Sequence, residues 1–201
     1  MNNSKKAALG IILLLWVVYT VVYSLHPSDP LAVLLEIIPG ILAICALSMA
    51  GFKREAYYLR FAPISKTGII FLVASLISLP IMIPSGRWIG WDWTAALIYA
   101  PASAIAQELF FRSALLPGLM AVTTKKGPIF ALWLHSTLFA LWHVPKAYLG
   151  GAPLGGIIGV IVVTFLCGTL WGNQVQRDRT IIWATGVHFL ILVINSLYTW
   201  G

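Results

Sequence analysis

Residues 106–116 read Ala-Gln-Glu-Leu-Phe-Phe-Arg-Ser-Ala-Leu-Leu, a largely apolar run that contains one acidic and one basic side chain. Glu108 and Arg112 are spaced so that they share one face of a helix, close enough to form an ion pair. The run lies within a longer apolar stretch, 93–120, which is long enough to cross a bilayer. Because ionisable side chains are costly inside a membrane and usually mark a functional site there, this stretch predicts both a membrane fold and the position of its functional groups.

The composition of the whole chain excludes an ordinary soluble domain. Of its 201 residues, 60% are hydrophobic and 9% are charged, whereas about a quarter of the residues of a soluble domain are charged. The excess of Lys and Arg would suit nucleic acid, but these residues cluster between apolar segments, as the positive-inside rule predicts. We therefore predict the lipid bilayer as a partner and no nucleic acid. Cys45 and Cys167 lie inside apolar runs and are predicted to be packing residues without a disulfide.

Seven apolar segments approach the length of about 20 residues that a membrane span requires. They predict an all-α, polytopic integral membrane bundle of about seven transmembrane helices. The chain is expected to form a single membrane-embedded domain, 1–201, whose motif-bearing core covers about 93–199. The first segment resembles a signal peptide but is longer than a usual apolar signal region, so a spanning helix is predicted. The segments are 7–25, 31–52, 67–84, 93–120, 128–148, 154–174 and 181–199, and prolines 80, 84, 101 and 117 are expected to kink the third and fourth.

The positive charges predict the orientation of these spans. Only Arg87 and Lys146 fall on one side of the predicted topology, which places the N-terminus in the cytoplasm and the C-terminus outside. The compact chain favours a prokaryotic cell (inner) membrane. The cations on the cytoplasmic side are Lys5, Lys6, Lys53, Arg54, Arg60, Lys66, Lys125, Lys126, Arg177 and Arg179.

Other polar side chains occur in separate spans at compatible depths. From the rise of a helix, Glu108 lies roughly 18 Å, His143 roughly 22 Å and His188 roughly 11–16 Å from the cytoplasmic ends of their spans, so the three side chains could converge. Each also has a simpler interpretation. Glu108 with Arg112 could be a packing ion pair, and a buried histidine or Asn195 could hydrogen bond between helices. Glu36 has no evident partner in the sequence and could be a neutral buried acid.

Three motifs on separate spans resemble those of the CAAX protease and bacteriocin-processing (CPBP, or Abi) family of intramembrane proteases. The run Gln107-Glu108-Leu109-Phe110-Phe111-Arg112 is similar to its Glu-Glu-x-x-x-Arg motif. The run Phe139-Ala140-Leu141-Trp142-His143 matches Phe-x-x-x-His, and His188 occupies the position of the third motif, His-x-x-x-Asn/Asp. The resemblance covers about 95–200 and implies a hydrolase in which activated water attacks a peptide carbonyl inside the membrane.

The resemblance also implies a role for each matching residue. A carboxylate at the first position of the acidic motif takes the proton of the water. His143 would hold that water, and Arg112 would anchor the acidic motif. His188, with an Asn, would donate hydrogen bonds to the developing oxyanion, and a contact of that type contributes about 3–4 kcal/mol at a preorganised site.

Two positions depart from the family pattern. Leu192 stands where the third motif has Asn or Asp, and Asn195 is the candidate to replace it. Gln107 stands at the position of the general-base glutamate, and a neutral amide cannot accept a proton. Three explanations remain open: Glu108 is the base, the chain is a non-catalytic relative that binds peptides or partners, or Gln107 is an engineered replacement that silences the enzyme.

The cofactor, substrate and function class also have alternatives. We predict no cofactor; the alternative is zinc, held by Glu108, His143 and His188 with water in the fourth position. The expected substrate is a peptide or lipidated protein at the membrane, with a prenylated C-terminus, a leader peptide or a sorting signal as its cleaved part. The competing functions are a non-catalytic membrane scaffold or regulatory pseudoprotease, and a proton-coupled transporter, although the chain shows no internal repeat of the kind transporters carry.

Overall fold

The computed structural model describes residues 3–25, 35–76, 87–88 and 90–199, and these form seven helices that follow the predicted order. Single turns of 3-10 helix occur at Arg54–Tyr57 and Thr124–Lys126. The all-helical membrane-bundle prediction is confirmed. The helices are α1 (Asn3–Leu25), α2 (Ile37–Met49), α3 (Lys66–Leu76), α4 (Ala95–Val122), α5 (Pro128–Leu149), α6 (Leu154–Asp178) and α7 (Ile182–Asn195).

A small antiparallel pair was not predicted from the sequence. Strand β1 (Arg87–Trp88) pairs with strand β2 (Tyr198–Thr199), so that the chain before α4 is joined to the chain after α7. The pair connects the N-terminal end of α4, which carries Glu108, to the C-terminal end of α7, which carries His188.

Three helices, α1, α4 and α6, are long and apolar enough to cross a membrane. Helices α2, α3 and α7 are apolar but shorter within the described residues. Parts of the predicted second and third spans, 31–34 and 77–84, lie outside the described residues, as do the predicted kinks at Pro80 and Pro84.

Helix α4 lies at the centre of the bundle, in contact with α1, α2, α5 and α7. In the most apolar 18-residue stretch of α4, 72% of the residues are buried, compared with 17% in that of α1 and 22% in that of α6. The peripheral helices instead expose residues such as Leu14 and Leu154, which costs little when the surrounding solvent is lipid. The polar residues of α4 are therefore held inside protein, where the backbone and side chains around them can be fixed.

Two π-helical stretches, Ala95–Tyr99 and Leu109–Leu115, widen α4. Each ends two residues before a proline, Pro101 or Pro117, in agreement with the predicted distortion of this span. Proline has no N–H to donate and its ring clashes with the carbonyl four residues earlier, so the chain adopts wider turns. The N–H of the residue after the second stretch accordingly donates to the carbonyl five residues back. That stretch contains Arg112, and π-bulges are often found at functional sites.

Small residues bring neighbouring helices close together. On α6, a Cβ added at Gly172 would lie 2.5 Å from a methyl carbon of Leu132 on α5, and one at Gly168 would lie 3.2 Å from the backbone of Ser136. This four-residue spacing is the small-xxx-small pattern of membrane helix pairs. On α2, a Cβ added at Gly40 would lie 3.0 Å from the Cβ of Leu109. The close contact of α2 with α4 sets the position of Glu36, one turn before Gly40.

Candidate active site

Glu108 of α4 lies between two basic side chains. Its Oε1 atom accepts a 2.9 Å hydrogen bond from Nδ1 of His188 on α7, and Nη1 of Arg112 lies 3.2 Å from the same oxygen. Glu108 and Arg112 are fully buried, and His188 is 4% exposed. The predicted ion pair is present, and the predicted meeting of Glu108 with His188 is also present. Because Nδ1 of His188 donates to the carboxylate, Nε2 is the ring nitrogen that can contact another molecule.

Aromatic rings enclose this charged cluster. The guanidinium carbon of Arg112 lies 4.1 Å from the ring centre of Phe139 and 5.2 Å from that of Trp171. The Trp171 ring also lies against His188, with a centroid separation of 4.6 Å. A cation held over aromatic faces is attracted by the ring quadrupoles, more strongly when it is desolvated. The rings therefore stabilise Arg112 in the interior and restrict the His188 ring to one orientation.

His143 contacts Phe139, one of the aromatic rings that enclose this cluster. Its Nδ1 donates a 2.8 Å hydrogen bond to the carbonyl of Phe139, which places the proton on Nδ1 and leaves Nε2 of the neutral ring as an acceptor. The Phe139 ring packs edge-on against both histidines, with centroid separations of 4.8 Å to His143 and 6.3 Å to His188. The structure thus places both histidines on the same phenylalanine, and among the described residues no hydrogen bond joins His143 to Glu108. His143 is half-buried and can be reached from outside the core.

Gln107 faces a different neighbour from Glu108. Its Nε2 donates a 3.0 Å hydrogen bond to Oγ of Ser103, and Ser103 donates a 3.1 Å hydrogen bond to Oε2 of Glu36. The hydroxyl of Tyr19 on α1 also donates to Oε2, at 3.4 Å. The interpretation of Glu36 as an acid without a partner is therefore wrong, because α1 and α4 both supply hydrogen-bond donors to it.

Asn195 and His135 are two further polar residues with no hydrogen bond to this cluster among the described residues. The structure does not bring Asn195 to His188: among the described residues no hydrogen bond joins them, and seven residues of helix separate them by about 10 Å along the axis. His135 is fully buried against Phe111, with a ring separation of 6.3 Å, and neither of its ring nitrogens has a hydrogen-bond partner in the described part of the chain.

The alternative zinc site would require Glu108, His143 and His188 to lie around one point. Within the described residues no three His, Cys, Asp or Glu side chains are grouped so that they could hold a metal ion. Glu108 and His188 are joined directly by a hydrogen bond, and both histidines pack against the ring of Phe139.

Some site residues were missed in the sequence analysis. Ser103 lies one turn before Gln107 on α4, and that spacing was a usable signal. Tyr19 and Trp171 gave no comparable signal, because their contacts depend on how α1 and α6 pack against α4 and α7.

Comparison with known families supports the resemblance carried by the three motifs. A family model described as type II CAAX prenyl endopeptidase Rce1-like matches residues 88–194, which is more than half of the chain and includes all three motifs. No curated protein and no solved structure matches the chain. The match covers the helices that hold Gln107, Glu108, Arg112, His143 and His188. The chain therefore belongs to the Rce1-like family of type II CAAX prenyl endopeptidases, a family of membrane-embedded proteases.

Proposed function

We propose that this protein is an intramembrane endopeptidase that hydrolyses a peptide bond of a membrane-associated substrate with an activated water molecule. The observation that carries the proposal is the buried cluster in which Glu108 holds His188 and Arg112 together, with His143 packed against the same Phe139 ring as His188. A packing ion pair would need neither histidine. The aromatic shell also excludes water around the charged groups, which strengthens their electrostatic effect on a reaction.

Each side chain has a proposed role that follows from its contacts. His143, with Nε2 as an acceptor, holds the attacking water. His188, oriented by the hydrogen bond between its Nδ1 and Glu108, is assigned to the developing oxyanion, with Nε2 as the ring atom that faces it. Arg112 fixes Glu108. Because Glu108 is fully buried and its charge is held by Arg112 and His188, we assign Glu108 to positioning and not to taking the proton of the water.

The proposed substrate carries an apolar segment beside its cleaved bond. A groove of about 390 Å³ opens between α4 and α7 and the chain that precedes α3. Ile105 and Leu109, which flank Glu108 in sequence, line the groove, as does Thr185, one turn before His188. A prenylated C-terminus, a leader peptide or a sorting signal would each supply such a segment.

The proposed location is the inner membrane of a prokaryotic cell, with the N-terminus in the cytoplasm and the C-terminus outside. The clustering of Lys and Arg in alternate connecting segments supports this orientation.

A second candidate function is a non-catalytic relative that regulates a partner protein. Gln107 favours it, because an amide can hold water by hydrogen bonds but cannot accept its proton. The peptidase proposal therefore requires a proton acceptor other than residue 107.

Comparison of membrane peptides provides the test. Peptides would be identified by mass spectrometry from cells that produce the wild-type protein or the His188→Ala or His143→Ala variant, and the cleaved sequence would then be assayed with purified protein in liposomes. We expect each substitution to lower turnover by about 10²–10³-fold, as for loss of a preorganised transition-state contact.

The matched control is Thr137→Ala, an exposed position on the same helix as His143, which should leave turnover unchanged. Wild-type and His188→Ala samples with identical peptides would contradict the peptidase proposal. A cellular phenotype that both histidine variants retain would instead support the regulatory function.

A further inference from the structure

The general-base position of the acidic motif is occupied by an amide, but a buried carboxylate lies close to it on another helix. Glu36 immediately precedes α2 and is 3% exposed, and Gln107 is 1% exposed. Ser103 connects them, with distances of 3.1 Å to Oε2 of Glu36 and 3.0 Å to Nε2 of Gln107. The three side chains thus form a continuous hydrogen-bonded chain between α2 and α4.

The direction of these hydrogen bonds follows from the chemistry of the groups. An ionised carboxylate only accepts, so the single hydroxyl hydrogen of Ser103 is donated to Glu36. The oxygen of Ser103 must then accept from Gln107, which places the NH₂ group of the amide toward Ser103. The Oε1 atom of Gln107 consequently points the other way, and it has no hydrogen-bond partner among the described residues.

Ser103 retains the capacity to contact a water molecule. A serine oxygen has two lone pairs, and the bond from Gln107 occupies one of them. Unlike Glu36 and Gln107, Ser103 is half-buried, so its second lone pair can be reached. A water that donates to Ser103 and to Oε1 of Gln107 would be held by two acceptors.

Packing contacts connect the surroundings of Glu36 to His143. Tyr19 donates to Glu36 and packs against Trp142 with a centroid separation of 4.8 Å. Trp142 in turn contacts the ring of His143 at 4.8 Å. The carboxylate therefore belongs to the same packed region as the histidine that is proposed to hold the water.

We propose that Glu36 is the proton acceptor of this peptidase, acting through Ser103 in place of the carboxylate missing at position 107. This inference rests on the proposed peptidase function. The carboxylate that accepts the proton would thus lie just before α2 and not on α4, and Gln107 would orient the water.

The proton transfer can be written so that it balances. An O–H bond of the water breaks and its proton moves to Oγ of Ser103, while Ser103 passes its own hydroxyl proton to Oε2 of Glu36. The water oxygen forms a bond to the peptide carbonyl carbon, and the electrons of the C=O double bond move to the carbonyl oxygen. When the C–N bond breaks, the proton returns from Glu36 through Ser103 to the leaving amine. No oxidant, reductant or further reactant is needed.

The test of this assignment compares four proteins: wild type, Glu36→Gln, Gln107→Glu and the double variant. Each is assayed on the peptide that the mass-spectrometry comparison identifies as cleaved. Glutamine at 36 keeps an acceptor oxygen for Tyr19 and Ser103 but cannot take a proton, so a merely structural role would be largely preserved. We expect Glu36→Gln to lower kcat by about 10²–10⁴-fold with little change in KM. Gln107→Glu in the same background should restore most of the loss, because it returns a carboxylate to the water.

Asp178→Asn is the matched control. Asp178 is also a buried carboxylate, 8% exposed and hydrogen bonded by Gln174, but it lies at the far end of α6. This substitution should leave kcat within about threefold of the wild type, since asparagine keeps an acceptor oxygen for Gln174 and the weaker hydrogen bond affects stability and not the reaction.

The remaining outcomes separate this inference from the peptidase proposal. Full activity of Glu36→Gln, or a double variant as slow as Glu36→Gln, overturns the role of Glu36 and leaves the peptidase intact. An inactive wild type with an active Gln107→Glu variant overturns it too, because the natural chain is then silent. If no variant cleaves any peptide, the peptidase proposal fails and the role of Glu36 fails with it.

Ser103→Ala provides a second route if Glu36→Gln does not fold. This variant keeps Glu36 and breaks the chain of hydrogen bonds, so kcat should again fall by about 10²-fold or more. Unchanged kcat in a folded Ser103→Ala protein overturns the relay.

Discussion

Gln107 and Glu108 are neighbours on α4, yet their side chains belong to two different networks. Glu108 faces α7 and is tied to His188 and Arg112 inside an aromatic shell. Gln107 faces α2 and reaches a carboxylate only through Ser103. A rotation of about 100° per residue is enough to separate the two directions. The first network contains a fixed charge that orients its partners, and the second contains a carboxylate linked by neutral groups, which suits proton transfer.

The largest expected difference between the two networks is in stability. Glu108→Gln removes the negative partner of a fully buried Arg112, and breaking such a pair costs about 3–5 kcal/mol because a charge is left uncompensated. Glu36→Gln keeps its neutral hydrogen-bond donors, so its cost should be about 1 kcal/mol. The free energy of unfolding, measured by denaturing-detergent titration in mixed micelles, should therefore fall several times more for the first variant.

Asp178→Asn supplies the reference for burial of a carboxylate away from both networks, with an expected cost of about 1 kcal/mol. If Glu108→Gln and Glu36→Gln lower the free energy of unfolding equally, the two networks do not differ in the way proposed, with a fixed charge in only one of them.

A smaller effect is expected where α2 packs on α4. Gly40→Val would place a Cβ 3.0 Å from the Cβ of Leu109 and 3.2 Å from the backbone nitrogen of Phe110. The helices must separate, and overpacking of this kind costs about 1–3 kcal/mol. Because the separation moves Glu36 away from Ser103, kcat should fall while the Glu108–His188 contact persists.

Gly10→Val on α1 is the control for the bulk of the new side chain, since a Cβ at Gly10 has nothing within 4 Å. Stability and kcat would be measured for both variants in the same liposomes. A Gly40→Val protein with the activity of Gly10→Val would show that the close contact of α2 does not support the Glu36 network.

The sequence was sufficient to predict the features that depend on spacing along one helix. The Glu108–Arg112 pair follows from a separation of four residues, and the meeting of Glu108 with His188 follows from their similar depths in two spans. Depth alone was insufficient for Asn195, because two turns of helix carry it about 10 Å beyond His188.

The partner of Gln107 could not be predicted in the same way. Glu36 meets Ser103 because Gly40 lets α2 lie against the backbone of α4, and such an approach is not visible in hydrophobicity or spacing. The π-helical turns add a second difficulty, since they change the angle at which side chains around Arg112 leave the helix. Prolines 101 and 117 indicated that α4 would be distorted but not in which direction.

A small effect should follow from the loss of the Tyr19 hydroxyl. The distance of 3.4 Å to Glu36 is long for a hydrogen bond, and the ring of Tyr19 would keep its packing against Phe110 and Trp142 in Tyr19→Phe. The expected cost in unfolding free energy is about 1 kcal/mol or less, with kcat lowered by less than about tenfold. A loss as large as that of Glu36→Gln would place Tyr19, and not Ser103, on the path of the proton.

Removal of metal ions should have no effect on either network. A catalytic zinc would need three protein ligands around one point, whereas Oε1 of Glu108 accepts from His188 and the described residues contain no such group of three ligands. Turnover after treatment with a strong chelator should equal that of the untreated protein, and elemental analysis should find less than about 0.1 zinc per chain, since a structural or catalytic site binds one ion. Loss of turnover that returns with added zinc would require Glu108 to leave His188 and become a metal ligand. The two networks would then differ in metal binding as well as in charge.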